Sequence, residues 1–123
     1  MTRIVIASPF EQERYALLKD FLEQVGFDVL NIKGLGIRVA SEIAKVNSHE
    51  VYRFAKAVFL EAPDADGIFI PCPRWPTIGI IDKLEKDLGV PVVTSSTAMI
   101  WKTFDHLKIK EPVLGYGQLL ENP

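Results

Sequence analysis

Two short apolar runs, Arg3–Ala7 (RIVIA) and Phe27–Ile32 (FDVLNI), flank one amphipathic stretch, and this arrangement restricts the fold more than any other feature of the sequence. The first run is β-branched and lacks polar alternation, the pattern of a strand covered on both faces. Ser8-Pro9-Phe10 breaks it. From Glu11 onward, apolar residues recur at Tyr15, Leu18, Leu22 and Val25, with Ala16, Leu17 and Phe21 widening the stripe. Glu11, Glu13, Lys19, Asp20 and Glu23 fall mostly elsewhere on the helical wheel. This predicts a helix facing a core, closed by Gly26 in the left-handed position that ends many helices. Strand, helix and strand at this length call for a parallel pair joined by a right-handed crossover.

The alternation continues. Lys33-Gly34-Leu35-Gly36-Ile37 is glycine-punctuated but lacks a third glycine, follows the second strand and leads into only a weak helix over 40–46, so it reads as a loop rather than a dinucleotide turn. Asn47-Ser48 offers an N-cap for a helix to about Glu61, with Val51, Phe54, Ala55, Val58 and Phe59 on its apolar face. His49 lies in the first turn with nothing nearby to pair with, and reads as solvated. Pro63–Asp66 turns the chain into a third strand, Gly67–Pro71. Thr77 or a neighbour then caps a helix over Ile78–Leu88, with Ile80, Ile81 and Leu84 inward and Gly89 as the stop. Val90–Thr94 is a fourth strand, followed by Ser95-Ser96-Thr97 and a helix from about Ala98 to Leu107. Val113–Leu120 reads as a final short strand or strand-loop. The expected class is α/β: one three-layer, flavodoxin-like domain over residues 1–123, with a mainly parallel sheet of four to five strands and the first strand central.

Composition excludes several functions. The 14 basic residues are scattered among 16 acidic ones, giving a formal net charge of -2 and no positive block that could follow a phosphate backbone, so no nucleic-acid partner is expected. No stretch approaches a membrane span, and the start, Met1-Thr2-Arg3-Ile4, leads into a strand without a signal-peptide pattern; a cytoplasmic location is expected. With a single cysteine there is no intramolecular disulfide. His49 and His106 make no familiar zinc spacing with Cys72, so no metal is expected.

The stretch most suggestive of chemistry is Gly67–Thr77, GIFIPCPRWPT, where a buried strand runs into that cysteine. Ligands of open α/β sheets bind beyond the carboxyl ends of the strands, although a free cysteine also serves as a small packing residue. The first, third and fourth strands end on one edge, which brings Ser8, Cys72 and Ser95 into one neighbourhood. Hydroxyls there either cap the next helix or hold a ligand.

Ser8-Pro9-Phe10, Gly34-Leu35-Gly36-Ile37, Val51-Tyr52-Arg53, Ala65–Cys72, Leu88–Ser96 and Gly115-Tyr116-Gly117 follow one another in an order that resembles the C-terminal half of the maleate cis-trans isomerase and arylmalonate decarboxylase group, within the aspartate/glutamate racemase superfamily. The resemblance implies two flavodoxin-like halves related by a pseudo-twofold axis, with a cofactor-free site between them. It implies a small carboxylate substrate such as maleate and assigns Cys72 as a thiol that exchanges a proton at the carbon next to a carboxylate. The related outcomes are racemisation of an amino acid or other 2-substituted acid and arylmalonate-type decarboxylation. From another class comes a non-catalytic half-domain that binds carboxylates or a partner chain. Substrate-binding positions expected on this basis are Ser8, Phe10, Arg74, Trp75, Thr77, Ser95 and Ser96. Two departures shape the expectation. Pro73 has no N–H to give a carboxylate, which shifts that role to the guanidinium of Arg74, and Phe10 stands where many members carry a tyrosine hydroxyl. Since only half of the family pattern is present, the expected partner is either a second copy of the chain or a missing N-terminal half.

Overall fold

The computed structural model describes residues 2–37, 40–43, 45–71 and 77–122. The elements are β1 (Arg3–Ser8), α1 (Gln12–Gln24), β2 (Asp28–Gly34), α2 (Ala40–Ile43), α3 (Ser48–Leu60), β3 (Gly67–Ile70), a 3-10 turn (Ile78–Ile80), α4 (Ile81–Leu88), β4 (Val92–Thr94), α5 (Ser95–His106) and α6 (Gln118–Glu121). The four strands form one parallel sheet in the order β2-β1-β3-β4. The first strand is central, as the alternation of elements requires.

Period-2 alternation assigns each strand residue to a face. Val5, Ala7, Ile68, Ile70 and Val92 pack against Val51, Tyr52, Ala55, Val58 and Phe59 of α3 and Ile81 and Leu84 of α4. Ile4, Ile6 and Val29 turn to the other side and meet Leu18 and Leu22 of α1. The result is an α/β three-layer arrangement. Ile4, Ile6, Ile68, Ile70, Ile81 and Leu84 are all fully buried, each contributing about 1.5–3 kcal/mol, so the strand ends project from a rigid centre.

The ends of the elements follow from local chemistry. Asn47 caps α3, its Oδ1 accepting from Glu50 N–H at 2.9 Å. Gly89 ends α4 at φ 73° and donates its N–H to Glu85 O at 2.8 Å, a backbone setting that costs glycine nothing. Four expectations are corrected. β2 continues through Lys33 and Gly34 instead of ending at Ile32. Tyr52 joins the buried face of α3. α5 begins at Ser95, three residues early. Val113–Leu120 is a loop and short helix rather than a fifth strand: Gly115 and Gly117 have φ of 90° and 100°, which a ladder does not accept, and Glu85 draws in the N–H of Gln118 at 2.9 Å. No helix among the described residues is long and apolar enough to cross a membrane.

Candidate active site at the carboxyl edge of the sheet

Because the strands are parallel, Ser8, Pro71 and Ser95 follow or end them on one edge. The pairing of Ile70 with Thr94 aligns the last residues of β3 and β4, and β1 lies beside β3 through Ile4–Ile6. The edge expected to carry the chemistry is therefore assembled. Cys72, Arg74 and Trp75 lie outside the described residues; in sequence, Cys72 follows the last residue of β3 by two positions.

The β1 end is held rigidly. Ser8 is fully buried, and its Oγ accepts the N–H of Phe10 at 2.9 Å, a short side-chain turn of the kind serine favours. Three backbone bonds tie this segment to the chain beyond β2: Leu35 N–H to Ser8 O (3.1 Å), Gly36 N–H to Phe10 O (3.2 Å) and Ile37 N–H to Pro9 O (2.9 Å). Gly34 permits that approach, because a Cβ there would stand 2.1 Å from Phe10 O. Phe10 packs against the core while the Arg14 guanidinium sits 5.2 Å from its ring centroid. The ring is a wall held between protein groups, with no hydroxyl to offer.

At the β4 end the capping is done by threonines. Thr94 Oγ1 accepts the N–H of Thr97 at 3.1 Å, and Thr97 Oγ1 accepts the N–H of Thr94 at 3.0 Å. This reciprocal box leaves Ser95 and Ser96 in the first turn of a 12-residue helix, half-buried and outside the cap. Sequence reasoning named Ser95 and Ser96 and missed Thr94; the spacing of two threonines three apart was the available signal. Thr77 precedes the 3-10 turn and does not cap it with its side chain. Its Oγ1 is buried without a hydrogen-bond partner among the described residues.

Two other groups have neighbours of their own. His49 is exposed and stacks on Tyr52, with centroids 6.4 Å apart; the solvated reading holds, but its expected lack of a neighbour does not. The Tyr52 hydroxyl donates to Asp87 Oδ2, joining α3 to α4. A concavity at the start of α1 is lined by Glu11, Gln12, Glu13 and Ala16, a setting that repels a carboxylate ligand. Among the described residues no group of three His, Cys, Asp or Glu side chains could hold a metal ion.

The sequence matches the model of one family, described as arylmalonate decarboxylase, over residues 1–120. The arylmalonate decarboxylase of Bordetella bronchiseptica is 31% identical over 99 residues, 80% of this chain and 41% of the relative. A crystal structure of arylmalonate decarboxylase superposes with a TM-score of 0.87 at 29% identity, covering 97% of this chain and 53% of that one. The Nocardia farcinica maleate cis-trans isomerase, solved with a covalently bound succinylcysteine intermediate, superposes with a TM-score of 0.91 at 21% identity over 98% of this chain and 49% of its own, a likeness of fold. The chain spans about half the length of the curated relatives it matches. With the family pattern running from the first strand to the last helix, the chain belongs to the arylmalonate decarboxylase family.

Proposed function

We propose that the chain is one half of a cofactor-independent enzyme that moves a proton at the carbon next to a carboxylate, with Cys72 as the thiol donor or acceptor and a maleate-like dicarboxylate as substrate. The observation that supports this reading is the family match over residues 1–120, beside the presence of the lone cysteine two residues after β3 in chain order. A thiol has an ordinary pKa of about 8.5, lowered near a helix N-terminus, which suits it to such a transfer near neutral pH. In the isomerisation a thiolate adds to one alkene carbon and a proton to the other. Rotation about the new single bond, then loss of that proton and of the thiolate, gives the trans product and regenerates both groups. Cys72 takes the proton-transfer role. The adding thiolate comes from the other half of the site, supplied by further chain or by a second copy. Ser95, Ser96, Thr77 and Arg74 hold carboxylates, while Ser8 and Phe10 form the wall at β1.

Decarboxylation of an arylmalonate is the second reading, favoured by the 31% identity to a protein of that name. There the substrate loses carbon dioxide and the thiol protonates the resulting carbanion. A carboxylate-binding half-domain without turnover is the third.

Iodoacetamide reads the thiol directly, because the chain has one cysteine. Fast labelling at neutral pH, slowed by maleate, is expected. Maleate loss followed by absorbance, with Cys72→Ala as control, then identifies an isomerase. Turnover of phenylmalonate alone identifies a decarboxylase. Maleate protection without turnover of either identifies a binding module. Labelling only in denaturant refutes a site at Cys72.

A further inference from the structure

Among the described residues, one half of one sheet face lacks a helix. Four strands about 4.8 Å apart span roughly two helix diameters. The face toward α3 and α4 has its two helices. The opposite face carries α1, which packs chiefly on β2, and over β3 and β4 Phe69 and Val93 are left half-buried. A 140 Å³ cavity lined by Ile4, Leu22, Phe27, Phe69 and Val93 runs into a 340 Å³ groove lined by Phe27, Pro91, Val93, Gln118 and Leu119. Beside it Leu17 and Phe21 of α1 and its C-cap Val25, which are 72%, 59% and 57% exposed, form one i, i+4, i+8 ridge. A right-handed crossover turns that side of α1 toward β3. The total accessible surface, 7025 Å², exceeds the roughly 6600 Å² expected of a 13.8 kDa monomer.

We infer that the groove over β3 and β4 receives α5 of a second copy, and that the exchange is reciprocal. The helices of the chain leave one candidate. α3 and α4 are committed to the core, α2 and α6 have four residues each, and the outward side of α1 carries Glu13, Asp20 and Gln24. α5 has an apolar arc of Ile100, Trp101 and Phe104, extended by its C-cap Leu107, yet only Thr97 is buried on it. Ile100 and Phe104 border a 380 Å³ gap with Ile78, Val113, Tyr116 and Leu120, and no residue of α5 lines the cavity or the groove. The same chain therefore holds an apolar groove of helix width and an undercovered helix. A twofold axis satisfies both at once. Leu17, Phe21, Val25, Met99 and Leu107, each more than half exposed, supply apolar surface toward the roughly 800 Å² per partner that a stable interface needs. The proposal rests on packing and is independent of the thiol chemistry.

Light scattering on residues 1–123 should give twice the chain mass, and Leu17→Glu with Phe21→Glu, both at exposed sites, should weaken the dimer at least about tenfold with the circular dichroism unchanged. In a Cys72→Ser background, mixing Val93→Cys and Leu107→Cys chains under mild oxidation should give a mixed disulfide, placing α5 of one copy on the groove of the other. A monomer at high micromolar concentration, a dimer indifferent to the ridge substitutions, or a dimer without the mixed disulfide overturns the inference.

Discussion

Replacing Thr77 by valine should stabilise the protein. The residue is 1% exposed, and its hydroxyl finds no acceptor or donor among the described residues, so folding strips that group of water without repayment from them. The desolvation cost of a buried unmatched polar group is about 1–3 kcal/mol. Valine keeps the β-branch and the volume while substituting a methyl group, so little rotamer entropy or packing changes. No cap is lost, because the side chain makes no capping bond at the 3-10 turn. The expected gain is about 1–2 kcal/mol, or roughly 3–8 °C in Tm for a chain of this size. Urea unfolding measures it, with an unchanged m value as the sign that the two states are otherwise alike. A loss of stability would refute the reasoning by showing that the hydroxyl has a partner in solution. Affinity for maleate separates the remaining roles: stability that rises while maleate protection of Cys72 falls assigns the hydroxyl to the ligand, as the sequence reading proposed.

Gly34→Ala should cost about 1–3 kcal/mol, because the new methyl would meet Phe10 O at 2.1 Å and the Tyr15 ring at 2.8 Å; thermal melts within 1 °C of wild type would contradict this. Asp66 accepts the N–H groups of Thr2 and Arg3 at 2.9 and 3.0 Å, and the Thr2 bond first among these holds its carboxyl below the ordinary value. Its stabilisation is present above the unfolded pKa and is lost as pH falls through the folded one, so Asp66→Asn should be the less stable form at pH 7 and the gap should close below about pH 4. Tyr52 is shifted the opposite way, raised by its bond to Asp87, then by burial and by the Asp87 charge. That contribution is present below about pH 10 and fades as pH rises through the folded value, so Tyr52→Phe should lower Tm near neutrality and remove part of the alkaline decline.

The sheet, its order and the faces of α3 and α4 were legible because period and punctuation agreed, with apolar runs, a 3.6-residue stripe, and Asn47, Gly26 and Gly89 at the ends, whereas of the stripe expected on α1 only Leu18 and Leu22 meet the core. Where the reading slipped, a contact distant in sequence decided the outcome. Val113–Leu120 has the apolar content of a strand, but Glu85 takes the N–H groups of Val92 and Gln118 together, and Gly117 fits against Ile81 only without a side chain. Four hydroxyl residues in succession, Thr94–Thr97, could each have capped α5, and only the geometry of the first and fourth settles the cap. Gly34 reads as a loop glycine, yet its role is to let β2 pass the carbonyl of Phe10. The carboxyl edge was legible from topology alone, since parallel strands must end together, while the fine placement of its hydroxyls depended on those local competitions. One signal in α1 points further. Its stripe runs from Tyr15 through Leu17, Leu18, Phe21 and Leu22 to Val25, wider than one sheet contact can use, and none of its residues is buried. Leu18 and Leu22 are spent on the sheet; Leu17, Phe21 and Val25 are left over. An amphipathic helix with a surplus on one flank is built for two neighbours, and the sequence therefore already carried the mark of a helix that this sheet face still needs.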